Sequence, residues 1–210
     1  AALFSPQPRL AKDDDNKQLP EDVSYELAEG DQSPGEEIKG TDVEQGGLAD
    51  CFFIASMNAI ANANPEFLRD AINYDSSSGL YTVRFYERGG YNFQTGGWDY
   101  TEHTEVVDGY LPQKADGKNA YAEAKNASEW GAIYEKAYAQ WKGGYDVLDK
   151  GGSSAKAMQE LTGVQSVPKN VGDLKTDEVI PFFENAEAQG TAVICGSQES
   201  MESEILTPLE

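Results

Sequence analysis

Cys51 is the side chain of this sequence best placed to act as a nucleophile. The apolar run over residues 51–62 predicts a buried helix that begins at the cysteine, with Asp50 as its N-cap. At the first turn of a helix, unpaired N–H groups and the helix dipole favour negative charge, and therefore the thiolate form of a cysteine. Because the thiolate is the nucleophilic form, this position predicts covalent catalysis by Cys51.

Gln45 precedes the cysteine by six residues, across a turn formed by Gly46 and Gly47. Such a turn lets the glutamine amide fold back beside the sulfur. There, its N–H and the backbone N–H of Cys51 can donate hydrogen bonds to the oxyanion of a tetrahedral intermediate. The alternative is that Cys51 is a small hydrophobe at a helix start, the commoner role of a lone cysteine. The glutamine and the two glycines favour the nucleophile.

The histidine content limits what this cysteine can do. Hydrolases that use a Cys–His pair need an imidazole to deprotonate the thiol and later to protonate the leaving amine. The one histidine of the sequence, His103, lies in the polar stretch of residues 100–105, ahead of a predicted strand. We interpret it as a strand-edge histidine among carboxylates. The sequence therefore predicts a nucleophile without its base, and Cys195, in an apolar stretch, is interpreted as a core residue.

Other elements must position the helix that carries Cys51. The clearest is a helix over residues 129–141, whose apolar side chains recur at i, i+3, i+4 and i+7 and so share one face. The remaining predicted elements are a short helix with Pro65 in its first turn, helices over residues 154–161 and 177–189, and strands over residues 80–86, 104–111 and 191–196. This mixture predicts an α+β fold dominated by helices.

Composition excludes several classes of function. The chain has 210 residues with 37 acidic and 16 basic side chains, and its formal net charge is −21. No excess of Lys and Arg is present to neutralise phosphates or anionic membrane surfaces, so neither nucleic-acid nor membrane binding is expected. No apolar run approaches the roughly 18 residues that span a bilayer, which predicts a soluble protein. Residues 1–40 lack periodicity and predict an acidic, largely irregular arm, with at most a short helix over residues 21–27, ahead of a core over residues 41–210.

Four ordered segments of the chain resemble the calpain family of papain-like cysteine peptidases. The segment from Gln45 to Ser56, Gln-Gly-Gly-Leu-Ala-Asp-Cys-Phe-Phe-Ile-Ala-Ser, is similar to that family's active-site segment, although Phe52 stands where the family usually has Trp. Three further segments follow in the same order as in the family. Residues 106–118 match its Val-Val-Asp strand and Asp-Gly-Lys turn, and residues 130–139 match its Trp helix containing Glu-Lys-Ala-Tyr-Ala. Residues 143–163 match the glycine-rich segment that comes next.

The resemblance implies the helix-dominated first lobe of a papain-like cysteine protease core, with a small antiparallel sheet. In that family, Cys51 would be the nucleophile, Gln45 the oxyanion donor, and Gly152 the glycine whose backbone binds an extended substrate. The family's His and Asn lie on a second, β-barrel-like lobe, whose His segment would begin where the sequence given ends. The resemblance thus implies an endopeptidase for protein or peptide substrates, inactive until a His-bearing lobe, from the same gene or a separate chain, docks on it.

Two alternatives from other classes remain open. The first is a degenerate calpain-like lobe that binds peptides or partners without cleaving them. The second is a calcium-responsive structural domain, because the family has a calcium site whose counterparts here are Ile38, Gly40, Asp42 and Glu129. Oxygen ligands suit Ca²⁺, but Glu129 is one residue nearer to its Trp than in the family, and ordinary solvated acidic residues are an equal interpretation. The resemblance also implies a cytoplasmic location.

Overall fold

The predicted α+β mixture is confirmed by a computed structural model, which describes residues 5–12, 17–18, 20–28, 38–125, 128–167 and 171–195. The helices are α1 (Cys51–Ala63), α2 (Pro65–Arg69), α3 (Trp130–Lys142), α4 (Tyr145–Leu148), α5 (Ser154–Thr162) and α6 (Thr176–Ala188), with a 3-10 turn over Val171–Asp173. The strands are β1 (Ser24–Leu27), β2 (Val43–Glu44), β3 (Ile72–Asp75), β4 (Leu80–Asn92), β5 (Gly97–Asp108), β6 (Tyr110–Gln113) and β7 (Glu123–Ala124).

The strands of the described part pair antiparallel in three small sheets. The largest has the order β3–β4–β5, and the other two pair β1 with β6 and β2 with β7. The strand predicted over residues 104–111 is split at Gly109: its first half ends β5, whereas its second half forms β6 and pairs with β1 instead. At this change of partner, the carboxylate of Asp108 is bound inside the core.

Helices α1 and α3 meet at the centre of the core. The rings of Phe53 on α1 and Tyr138 on α3 stack with their centroids 4.0 Å apart. Phe85 of β4 packs on the same helix, with its ring 5.3 Å from that of Trp141. The periodicity predicted one buried face for α3, but every residue over 130–139 is buried, including Glu135 and Lys136. Burial of these two charged side chains requires partners, which the core supplies.

Lys136 joins α3 to the end of β5 through a buried ion pair. Its Nζ, which is fully buried, donates to Oδ1 of Asp108 at 2.5 Å and to the carbonyl oxygen of Tyr110 at 2.6 Å. The other carboxylate oxygen of Asp108 accepts hydrogen bonds from the backbone of Ser5 and the amide of Gln7. The N-terminal segment, residues 5–12, is thereby attached to the centre of the fold.

The rest of this segment is attached in the same way. The carbonyl of Arg9 accepts a hydrogen bond from the backbone N–H of Tyr145, and the N–H of Ala11 donates to the hydroxyl of Tyr121. Ala11 is fully buried. The division into an arm over residues 1–40 and a core stays a prediction, but the described residues of the arm lie on the core.

Three local predictions were wrong. Residues 24–27 form strand β1, not part of a helix over residues 21–27, because β6 offers them a hydrogen-bonding edge. The strand predicted over residues 191–196 is absent from its described part, residues 191–195, since no described strand pairs with it; Gly196 lies outside the described residues. Cys195 is exposed and is therefore not a core residue. No helix in the described ranges is both long and apolar enough to cross a membrane.

Candidate active site

Cys51 is the first residue of α1, as predicted, and its side chain is exposed. It borders an open cavity of about 400 Å³ whose wall also includes Gln45, Glu44 and the α1 residues Ile54 and Asn58. The structure therefore brings the predicted nucleophile and the predicted oxyanion donor to one cavity. The side chain of Cys51 is exposed to solvent there.

Gln45 is held in place through one of its own amide hydrogens. Its Nε2 donates to the carbonyl oxygen of Leu48 at 2.5 Å, and this hydrogen bond closes the turn. The bond uses one of the two N–H groups of the amide, so the second N–H does not take part in it. Gly46 is required in this turn, because a Cβ there would lie 1.8 Å from the carbonyl oxygen of Tyr121. The backbone of Gly47 donates to the carbonyl of Ala120 and anchors the same turn.

Asp50 occupies the N-cap position of α1 but does not cap it with its side chain, which corrects the expectation from the sequence. Its backbone carbonyl accepts hydrogen bonds from the N–H groups of Phe53 and Ile54, at 2.8 and 3.2 Å. Its carboxyl group is fully buried and turned toward Glu135 of α3. Burial raises the pKa of Asp50 to about 6.

Glu135 is a residue of the site that the sequence did not reveal. Both of its carboxylate oxygens accept the N–H of Ala122, at 3.0 and 3.1 Å. Burial and the neighbouring Asp50 raise the pKa of Glu135 well above its ordinary value. The only signal in the sequence is a carboxylate within the apolar part of α3.

Gly152 lies directly against the residue that follows the nucleophile. A Cβ at this position would come within 2.6–2.8 Å of three ring carbons of Phe52, so the ring needs a glycine beside it. Asp149, just before this segment, accepts the N–H of Ala49 at 2.9 Å and joins the two loops. The structure thus places Gly152 beside the start of α1, where an exposed backbone can face an extended peptide.

His103 is engaged in contacts away from the cysteine. Its ring stacks on Trp141 with centroids 4.7 Å apart, and its Nε2 lies 2.8 Å from Oε1 of Glu105. None of these three residues borders the cavity at Cys51. The interpretation of His103 as a strand residue among carboxylates agrees with these contacts.

Both carboxyl groups that the resemblance implies for calcium accept hydrogen bonds from within the chain. Asp42 is buried, and its Oδ2 accepts hydrogen bonds from the N–H of Lys39 at 2.8 Å and from Nε1 of Trp130 at 3.4 Å. Glu129 accepts the amide of Asn119 at 2.8 Å, while burial raises the pKa of Glu129. N–H donors thus face one oxygen of each carboxyl group, Oδ2 of Asp42 and Oε2 of Glu129.

Ile38 and Gly40 precede Asp42 in a loop that lies against α1. Ile38 is buried in the core, and a Cβ on Gly40 would come within 2.3 Å of the carbonyl oxygen of Asn58, so this loop is packed tightly against α1. Across the described ranges, no three or more His, Cys, Asp or Glu side chains are grouped so as to hold a metal ion.

Comparison with known proteins points to one family. The family model described as calpain family cysteine protease matches residues 23–209. Human calpain-9 is 30% identical over 195 residues, which covers 83% of this chain and 26% of the relative. Calpain clp-4 of Caenorhabditis elegans is 36% identical over 123 residues (58% of this chain and 16% of the relative), and the rat calpain-2 catalytic subunit is 35% identical over 130 residues (59% and 16%). The chain therefore spans between about a sixth and a quarter of the length of these relatives.

Proposed function

The chain belongs to the calpain family of cysteine proteases, and we propose that it carries the nucleophile, Cys51, of an endopeptidase. The observation that supports this proposal best is the position of the thiol. It is exposed at the first residue of a buried helix, in the same cavity as Gln45. N–H groups at the N-terminal end of a helix can stabilise negative charge on a nearby group, and the cavity is open to solvent.

The proposed reaction has two steps. Sγ of Cys51 forms a bond to the carbonyl carbon of the substrate, and the oxyanion that results accepts the N–H of Cys51 and an N–H of Gln45. The C–N bond then breaks, the amine leaves with a proton from an imidazole, and a thioester remains on Cys51. Water attacks the thioester, which releases the carboxylic acid and returns the thiol.

We propose that the imidazole belongs to a His- and Asn-bearing lobe that docks on this one, encoded by the same gene or by a separate chain. His103 is held by Trp141 and Glu105, so it does not supply the imidazole. Residues 1–210 alone are therefore expected to show negligible peptidase activity. The cytoplasmic location implied by the resemblance stays a prediction.

Cysteine reactivity tests the proposed nucleophile directly. We expect iodoacetamide to alkylate Cys51 at neutral pH several-fold faster than Cys195, because both thiols are exposed but only Cys51 begins a helix. Mass spectrometry of the two cysteine peptides at successive times measures both rates in one sample. The variants C51S and C195S confirm the assignment of each peptide.

Equal rates for the two cysteines, with the His-bearing lobe also supplied, would count against the nucleophile. That result would favour the second candidate, a lobe that binds peptides without cleaving them. The observation that favours this candidate is that the one histidine is engaged elsewhere. This second candidate predicts that the complete gene product binds peptides at the cavity of Cys51 and does not cleave them.

A calcium-responsive domain makes a separate prediction, namely a rise in melting temperature with Ca²⁺ that is lost in D42A. We expect instead that millimolar Ca²⁺ leaves the melting temperature unchanged, since N–H donors already face Asp42 and Glu129. Differential scanning fluorimetry with and without chelator measures the shift, and D116A, at an exposed turn, is the control for surface charge. A rise present in the unmodified chain and in D116A, but absent in D42A, would contradict this expectation.

A further inference from the structure

We propose that Glu135 is a positioning residue for the nucleophile: it holds the carboxyl group of Asp50 inside the core and so keeps the N-terminal end of α1 open for Cys51. This inference rests on the proposed role of Cys51. It concerns a pair of buried carboxyl groups that contact neither substrate nor sulfur in the proposed mechanism. Glu135 acts on Cys51 only through Asp50.

The first observation is an N-cap aspartate that does not cap. At this position, an aspartate side chain ordinarily accepts the N–H of the second or third helical residue. Here, the side chain of Asp50 caps no N–H group of α1, although both of its carboxylate oxygens are buried. The group within hydrogen-bonding reach of them is the carboxyl group of Glu135.

The second observation is that this contact requires a proton. Two carboxylates only accept hydrogen bonds, so one of them must be protonated for the pair to be linked. No Lys, Arg or His of the described residues forms an ion pair with Asp50 or Glu135. The ionisable groups that act on the pair are Asp149, at the end of α4, and the phenols Tyr25, Tyr121 and Tyr145. None of these four carries a positive charge.

The buried environment keeps the proton on the pair at neutral pH, because burial raises the pKa of both carboxyl groups. Protonated Glu135 donates to Asp50, and its oxygens face the N–H of Ala122. The pair then has one negative charge, which lies inside the core, and Asp50 is turned away from the first turn of α1.

The consequence for the site is a set of free N–H groups. Within the described residues, no hydrogen-bond acceptor is found for the backbone N–H of Cys51 or of Phe52. A capping Asp50 would occupy N–H groups of this first turn and would add a negative charge beside the sulfur. By holding Asp50 inward, Glu135 keeps the carboxylate of Asp50 away from the N–H of Phe52 and adds no negative charge to the first turn of α1, beside the sulfur of Cys51.

The experiment measures the electrostatic environment of Cys51 in the full chain. The background is C195S, and the probes are iodoacetate, an anion, and iodoacetamide, its neutral analogue. In E135L the linking proton donor is gone, so Asp50 is free to cap α1. We expect the ratio of the iodoacetate rate to the iodoacetamide rate to fall several-fold.

Two further variants separate positioning from simple loss of packing. E135Q restores a donor to Asp50 and an acceptor for Ala122, so we expect it to rescue the rate ratio. The double variant E135L/D50A has no carboxylate that can cap, and we expect it to recover the ratio as well. Circular dichroism and thermal unfolding confirm that each variant is folded. If E135L does not fold, D50A alone tests the proposal, and we expect its rate ratio to equal or exceed that of the unmodified chain.

The outcomes are distinct from those of the proposed function. An unchanged ratio in folded E135L, a ratio in E135Q as low as in E135L, or a fall in D50A would each overturn the positioning role. Failure of the proposed function shows in the unmodified chain, where Cys51 would react no faster than Cys195, whatever residue stands at position 135.

Discussion

Replacement of Lys136 by methionine is expected to lower the free energy of unfolding by about 3–5 kcal/mol, the usual cost of removing one partner of a buried ion pair. The Lys136 side chain is fully buried, and its Nζ donates to the carboxylate of Asp108 and to two backbone carbonyls, those of Asp108 and Tyr110. Methionine fills similar space but donates nothing. Asp108 would then be a buried charge without its cation.

The pH dependence of stability reports the same pair. Burial acts to raise the pKa of Asp108, but the hydrogen bond and charge of Lys136 outweigh it and hold this pKa below its ordinary value. A carboxyl group with a lowered pKa in the folded state contributes stability above its unfolded pKa, and this contribution is lost as the pH falls. The unmodified chain should therefore lose stability below about pH 4 more steeply than K136M.

Urea denaturation followed by circular dichroism measures both effects. K125M is the matched control, because Lys125 forms an ion pair with Glu44 at the surface, where both side chains are at least half exposed. Such pairs contribute roughly 0–1 kcal/mol. A loss in K136M no larger than in K125M would show that the buried pair does not stabilise this fold.

Replacement of Gln45 by alanine is expected to lower kcat for peptide hydrolysis by about 10²–10³-fold in the protein completed by a His-bearing lobe, as expected for loss of one oxyanion donor. The amide lies at the same cavity as Cys51, and its bond to Leu48 fixes its direction. Because the oxyanion forms only in the transition state, KM should change little.

The control for this substitution is E44A, which removes a neighbouring exposed side chain from the same cavity without removing a donor. We expect its kcat to remain within tenfold of the unmodified protein. Alkylation of Cys51 by iodoacetamide, which forms no oxyanion, should proceed at similar rates in Q45A and E44A. A loss of less than tenfold in kcat for Q45A would exclude Gln45 as an oxyanion donor.

The sequence alone predicted the structure correctly where neighbouring residues determine it. Helices α1, α3 and α5 follow from apolar spacing and from nearby turn residues, and Cys51 lies at the predicted helix start. The proximity of Gln45 to Cys51 follows from a short turn containing two glycines. In each case, the residues that determine the structure are within one or two turns of each other along the chain.

The sequence alone did not predict the structure where a contact with a residue distant in the chain determines it. Residues 24–27 become a strand only because β6, more than eighty positions later, offers an edge. Asp50 has the residue type of an N-cap, but a carboxyl group on α3 competes for it. Helix α3 has one apolar stripe and is nevertheless buried on all sides, because Glu135 and Lys136 find partners elsewhere in the chain.

The contacts of the N-terminal segment also bear on how the protein assembles. Ser5 and Gln7 bind Asp108, and Arg9 binds Asp146, so these contacts join residues separated by 101 to 137 positions. Contacts of such long range slow folding, because the entropy of a large loop is lost before they form. On a ribosome, residues 5–12 are made well before residue 146, but they reach their binding surface only after residue 146 has emerged. This early segment is thus among the last parts of the described fold to reach its final position.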